Sequence, residues 1–253
     1  MSLLVVKHLA KSYRGFEAVK DVSFALEAGE ILALIGPNGA GKTTCFNMIN
    51  GQLPPTSGHV EMFGRRVDGL SPLEIGRLGI GRTFQITATF TSMTVTENVQ
   101  MALLAHRRQI WPFPCWAARF YPEEAKQLLA LVGMADQADR MCAALAYGDL
   151  KRLELAIALA NDPKLMLMDE PAAGMAPSER RALMILTARI ARERNLGVLF
   201  TEHDMDVVFG HADRILVLNR GELIAEGTPA EVRARADVQA VYLGAGSLHG
   251  AAS

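Results

Sequence analysis

Gly36-Pro37-Asn38-Gly39-Ala40-Gly41-Lys42-Thr43-Thr44 has the spacing G-x-x-x-x-G-K-T, and its flanks decide what that spacing means. Before it, Ile31-Leu32-Ala33-Leu34-Ile35 is the short unbroken apolar run of a strand buried on both faces, as in a parallel sheet. After it, Thr43 to Asn50 reads as a helix that Gly51 closes. Strand, glycine-rich turn and helix together make a phosphate-binding loop. The glycines let successive N–H groups curl around one concavity, and the helix dipole adds its positive end. Lys42 then reaches the β- and γ-phosphates of a nucleotide, and the Thr43 hydroxyl ligates Mg²⁺. A glycine-rich turn matching by chance needs neither flank.

Bulk composition excludes several other classes. At 253 residues the chain has ample core for one large domain or a core with a subdomain. A net charge of -1 gives no basic footprint, so no nucleic-acid partner is expected. Cys45, Cys115 and Cys142 are odd in number and unpaired in spacing, like reduced thiols packed as small apolar residues. Met1 to Lys7 lacks the basic flank and long apolar core of a signal peptide. No apolar run approaches the roughly 18 residues of a membrane span. The expectation is a soluble protein that meets a membrane only through a partner.

Leu3 to His8 and Val22 to Leu26 read as strands, with Tyr13 in the connection between them. Beside a phosphate loop, Tyr13 reads as a platform for stacking adenine. Gly58 to Met62 is a further strand with Gly64 as its turn, Pro72 to Leu78 a short helix, and Ile80 to Phe84 a strand ending at Gln85. Beyond Gln85 the pattern turns helical. Thr94-Val95-Thr96-Glu97 is a capping box for a helix reaching about Arg108, and Pro122-Glu123-Glu124 opens another that Gly133 closes. The Ile110 to Trp116 segment between them reads either as a docking surface or as a connector packed on its neighbours, with the connector preferred.

Leu145-Ala146-Tyr147-Gly148-Asp149 precedes a helix expected from about Leu150 to Asn161, with Leu150, Leu153, Ile157 and Ala160 on the apolar face and Lys151, Arg152 and Glu154 off it. Leu165 to Met168 then runs into Asp169-Glu170, a buried strand delivering two carboxylates at its C-terminal tip, where an α/β fold places a site. Asp169 can hold Mg²⁺, mostly through water, and Glu170 can polarise the water that attacks a γ-phosphate. Ser178 to Asn195 is a long helix, and Gly197 to Thr201 a strand that puts His203 at the same edge. Ile215 to Asn219 and Glu222 to Ala225 are the last strands, Thr228 caps a terminal helix, and the tail after Gly244 reads as loose.

In order and spacing, Tyr13, the Gly36 to Thr44 loop, Gln85, the Leu145 to Asp149 segment, Met168-Asp169-Glu170-Pro171 and His203 resemble an ABC-transporter ATP-binding subunit. The resemblance spans about Leu3 to Gly244. It identifies these segments as aromatic loop, Walker A, Q-loop, signature, Walker B with catalytic glutamate, and switch histidine. Gly81 to Gln85, Leu145 to Gly148, Glu170 to Gly174 and Val241 to Gly244 resemble the ATPases of branched-chain amino-acid importers, a branch that also includes urea, amide and aromatic-acid systems.

The implied fold is α/β: a P-loop NTPase core of the RecA type with an antiparallel β subdomain and an inserted α-helical subdomain. Residues 1–84 and 163–244 would form the core with the β subdomain, 85–162 the helical subdomain, and 245–253 a loose tail. The implied cofactors are ATP and Mg²⁺, with Thr43, Gln85 and Asp169 on the metal. Lys42, Gln85, Glu170 and His203 are the implied catalytic set, and Ala146, Tyr147, Gly148 and Asp149 the segment that meets a partner's nucleotide. The implied partners are a second, similar ATPase (a heterodimer, with a homodimer possible), two transmembrane permease subunits and, indirectly, a periplasmic solute-binding protein. The implied location is the cytoplasmic face of the inner membrane.

Two departures from the family pattern stand out. Ala146 replaces the signature serine, and Asp149 its glutamine. In the loop Ala173-Gly174-Met175-Ala176, Ala176 stands where an aspartate is usual. Rival classes fit less well. A DNA-repair ATPase of the superfamily needs a long coiled coil, a ribosome-binding factor needs two cassettes in one chain, and a non-hydrolytic sensor has no use for Glu170 and His203. An exporter ATPase is the live alternative.

Overall fold

The computed structural model describes residues 2–83, 89–107 and 120–243. Gln85, the Trp111 to Trp116 segment, Cys115 and the tail beyond 243 lie outside them. The described residues form two sheets. In the first, β1 (Ser2–Tyr13) lies between β2 (Phe16–Glu27) and β4 (Ser57–Met62), all antiparallel, with the two-residue β5 (Arg65–Arg66) on the edge. The second has the order β10-β9-β3-β8-β7-β6, from β3 (Ile31–Ile35), β6 (Ile80–Thr83), β7 (Leu165–Asp169), β8 (Gly197–Thr201), β9 (Arg214–Asn219) and β10 (Glu222–Gly227). Its neighbours run parallel except β10, which returns antiparallel on β9.

The apolar runs of the parallel strands are explained by burial on both faces. Leu32, Leu34, Leu165, Leu167, Leu199, Leu216 and Leu218 face a core shared with the antiparallel sheet and with α1 (Lys42–Ile49). The alternating residues Ile31, Ala33, Ile35, Met166, Met168, Val198 and Phe200 face a second core. That core is filled by α3 (Val95–His106), α4 (Pro122–Leu131), α5 (Tyr147–Leu159), α6 (Pro177–Arg194) and the C-terminal helices. Neither face of the sheet meets water, so no polar alternation survives in the sequence.

Helix termini follow the sequence signals closely. Capping boxes form at Ser71–Glu74 before α2 (Pro72–Gly76), at Thr94–Glu97 before α3 and at Thr228–Glu231 before α8 (Pro229–Ala234). Gly51 and Gly133 take φ of 77° and 72° just past α1 and α4, the left-handed turn that ends a helix.

Four expectations need correction. Tyr13 is not in a connection: it is the last residue of β1, opposite Phe16, because Arg14 and Gly15 close a hairpin with φ of 50° and 92°. The helix expected from Leu150 begins at Tyr147, since Ala146 already has capping geometry. Lys151 and Glu154, expected off the buried face of α5, are buried, joined Nζ to Oε2 at 3.0 Å. The terminal helix is two, α8 and α9 (Ala236–Leu243), and α7 (Met205–His211), capped by the Asp204 side chain, was not foreseen.

Candidate active site

Strand register brings the phosphate loop and the acids to one edge. Leu34 pairs with Thr201, and Thr201 pairs on its other side with Asp169, so the C-terminal ends of β3, β8 and β7 lie level. Gly36 to Gly41 leaves β3 at that edge and enters α1, whose backbone cap is Gly41 at φ 103°. A Cβ on Gly41 would stand 2.4 Å from the Ala18 carbonyl oxygen of β2, so the loop closes against the antiparallel sheet only with glycine there. That contact also places the Tyr13 hairpin beside the loop, where Tyr13 is 46% exposed with Lys11 Nζ 5.4 Å from its ring centre.

Lys42 is buried and its Nζ donates to the carbonyls of Gly36 at 2.6 Å and Pro37 at 3.2 Å. Burial holds its pKa below the usual lysine value, while the charges of Glu170 and then Asp169 pull the other way. The ammonium is therefore desolvated and poised between the loop and the two acids, where a phosphate can replace the loop carbonyls as acceptor. Thr43 is exposed at the start of α1.

The acids are held differently. Asp169 Oδ1 accepts from Thr201 Oγ1 at 2.6 Å. Glu170 sits in the left-handed region at φ 49°, rare for a residue with a side chain, and its N–H is held by Thr201 Oγ1 at 3.0 Å and by the Thr201 carbonyl at 3.2 Å. This twist turns the Glu170 carboxylate toward His203, Oε1 to Nε2 at 2.7 Å. Such a pair can orient a water and stabilise charge on a γ-phosphate.

Thr201 and Glu202 were missed in the sequence. Glu202 is 5% exposed, and its two oxygens accept from Ala172 N–H and His203 N–H, both at 3.1 Å. Burial raises its pKa above the usual glutamate value, against those N–H donors and the Arg180 charge. A polar pair ending the apolar run Gly197 to Phe200 was the available signal.

The described residues contain no group of three or more His, Cys, Asp or Glu placed to hold a metal by themselves. The donors present, the exposed Thr43 hydroxyl and Asp169 with one oxygen outside the Thr201 bond, suit a hard cation that arrives with phosphate oxygens and water.

The Ala146 to Asp149 segment opens α5 and touches the turn after Glu170, the Tyr147 hydroxyl donating to the Ala173 carbonyl at 3.0 Å. Ala146 is the N-cap of α5 with no side-chain cap bond, and a Cβ on Gly148 would be 3.0 Å from Glu179 Oε1 of α6. Asp149 Oδ2 accepts from Gln137 Nε2 at 3.1 Å, within the helical part. The phosphate loop, the two acids and His203 thus meet at one sheet edge.

The family model described as ABC transporter matches residues 19–173, from β2 through both acids. The chain belongs to the ABC transporter family. It is an ATPase cassette of that family, with the α/β fold expected. A second model, Branched-chain amino acid ATP-binding cassette transporter, matches residues 222–247 of the cassette. Among curated relatives, it is 40% identical over 252 residues to the high-affinity branched-chain amino acid transport ATP-binding protein LivG of Salmonella typhimurium, covering 96% of this chain and 98% of that one. To BraF of Pseudomonas aeruginosa, of the same description, it is 37% identical over 249 residues, with the same coverage. The lipopolysaccharide export system ATP-binding protein LptB of Haemophilus influenzae is 36% identical over 244 residues, again covering 96% and 98%. Among solved structures, an ABC-transporter cassette in its ADP conformation matches with a TM-score of 0.83 at 29% identity, covering 96% of this chain and 99% of that one. A dimeric cassette in a post-hydrolysis state with ADP and Pi matches with a TM-score of 0.74 at 25% identity, covering 89% and 98%.

Among the described residues no helix of the cassette is long and apolar enough to cross a membrane.

Proposed function

We propose that this cassette powers an importer for branched-chain amino acids or closely related small solutes. The observation that carries this reading is the match of residues 222–247 to the model of branched-chain amino-acid cassettes, added to the identity with LivG and BraF over nearly the whole chain. LptB, named for export, lies close behind in identity; the C-terminal match, to a model named for branched-chain amino-acid cassettes, favours the import reading.

In the proposed mechanism two cassettes close head to tail, each ATP lying between the phosphate loop of one and the signature segment of the other. The likeness to a dimeric cassette bound to ADP and Pi supports a two-cassette assembly. Tyr13 stacks the adenine. The N–H groups of Gly36 to Thr44 and the Lys42 ammonium bind the phosphates. Thr43, Asp169 and Gln85 would hold Mg²⁺, which would neutralise phosphate charge. Glu170 takes up the proton of the attacking water, and His203 fixes the Glu170 carboxylate and faces the γ-phosphate. Closure switches two permease subunits at the cytoplasmic face of the membrane, and hydrolysis resets them.

The partner cassette is a similar but distinct chain, and the two sites are unequal. The site built on this chain's phosphate loop has every catalytic group on this chain. The other relies on Ala146 and Ala176, and so lacks a hydroxyl and a carboxylate. The test is ATP-driven uptake by the complex with its permeases in vesicles. Labelled leucine accumulation with no response to urea is the expected result; urea uptake without leucine, or outward transport, would overturn the assignment.

A further inference from the structure

We propose that Tyr147 is a coupling residue: its hydroxyl ties the helix that meets the partner's nucleotide to the loop that carries this chain's own catalytic glutamate. The inference rests on the composite-site reading above and deepens it.

Tyr147 is the first residue of α5 and is 44% exposed. Its Oη donates to the Ala173 carbonyl at 3.0 Å, and its ring lies 3.5 Å from where a Cβ of Gly174 would stand. Ala173 is three residues beyond Glu170, and its N–H returns to the Glu170 carbonyl at 3.1 Å, so Glu170 to Ala173 is one tight turn. The same turn is held from the opposite side at Ala172 N–H by Glu202 Oε1. A shift of the Ala173 carbonyl is therefore a shift of the segment that aims Glu170 at His203.

The loop has no other means of passing a signal through side chains. Ala172, Ala173, Gly174, Met175 and Ala176 carry neither a hydroxyl nor a charge, so its polar links are made by the main chain. Arg180 holds the Met175 carbonyl at 3.2 Å from α6, and Tyr147 supplies the link to α5. Behind Tyr147, Lys151 Nζ stands 5.5 Å from its ring centre and is locked by Glu154, both buried, so the phenol projects from a rigid first turn. Movement of α5 on meeting a phosphate at Ala146 to Gly148 is delivered to Ala173 through one hydrogen bond.

A residue that merely packs on Gly174 would work equally well as phenylalanine. The test is Tyr147→Phe in the assembled transporter, reading the ATP dependence of hydrolysis and the melting temperature. The expected result is kcat lowered about two- to tenfold, the range of one neutral hydrogen bond, and a Hill coefficient falling toward one. Amide exchange at Ala172 to Met175 should quicken in the isolated Tyr147→Phe chain, a readout that needs no partner. Unchanged kcat and Hill coefficient beside a cooperative wild type would overturn the coupling alone. A wild type that hydrolyses ATP without cooperativity would overturn the composite-site reading and the coupling with it.

Discussion

The hydroxyl of Thr201 donates to Asp169 Oδ1 at 2.6 Å and accepts from the N–H of Glu170 at 3.0 Å. One buried group on β8 thus fixes the Asp169 carboxylate at the tip of β7 and the left-handed backbone of Glu170 just beyond it. The two acids differ in role because of it. Asp169 keeps one oxygen outside this bond, while Glu170 is turned out toward His203.

Thr201→Val keeps the volume and removes the hydroxyl. The half-buried Asp169 then loses a donor, and Glu170 keeps only its longer bond to the residue-201 carbonyl. We expect kcat to fall about tenfold with KM for ATP nearly constant, for a lost hydrogen bond of about 1.5 kcal/mol to a charged group. Thr201→Ser should recover most of it. A steady-state ATPase assay on the three forms checks both statements.

Ala146 and Ala176, two of the three residues that depart from the family pattern, occupy the same kind of position. Each is a helix N-cap, with φ and ψ of -66° and 157° for Ala146 and -63° and 150° for Ala176, and neither has a side-chain cap bond. Ala146→Ser and Ala176→Asp should therefore each stabilise the fold by about 0.5–2 kcal/mol. Denaturant midpoints measure this. Both should also raise turnover at the partner's ATP site. Midpoints at or below wild type would show that these ends are satisfied in another way.

Much of this was legible in sequence because local chemistry fixed it. The run Ile31 to Ile35, the glycine loop and the helix after it form one strand-turn-helix unit whose geometry depends on few distant residues. The capping boxes at Thr94 and Thr228 are equally local. What was not legible depends on packing from several sides. Lys151 and Glu154 fall off the apolar stripe of α5, yet α3, α4, α6 and β6 all pack on that helix, so the charges are buried and neutralise each other. Helical period alone cannot reveal a helix covered all round. Thr201 and Glu202 act through strand register and main-chain contacts, which residue spacing does not show. Tyr13 looked like a loop residue because a two-residue turn is easily read as longer.

Glu202 gives a pH signature. Its pKa is raised by burial, so the folded state holds the proton more tightly than the unfolded chain does. Its contribution to stability is complete below the ordinary glutamate value of 4.5 and is lost as pH rises through the raised value. Glu202→Gln removes this titration and sets an amide N–H₂ against one of the backbone N–H donors at Ala172 and His203. The variant should melt below wild type, and the gap should narrow as pH rises above 4.5. Melting curves across that range provide the check; a gap that widens with pH would mean the carboxylate is held ionised.

The most direct test of the whole account is phosphate release from MgATP by wild type, Glu170→Gln and Lys42→Ala, with ATP binding measured on the same samples. The account predicts that wild type binds and hydrolyses. Glu170→Gln should bind with unchanged or tighter affinity and turn over at least about a hundredfold more slowly, the usual loss when a general base is removed. Lys42→Ala should lose binding itself, by about ten- to a hundredfold for one charge-assisted contact of about 1.5–3 kcal/mol. Hydrolysis at the wild-type rate by Glu170→Gln, or full affinity in Lys42→Ala, would contradict it.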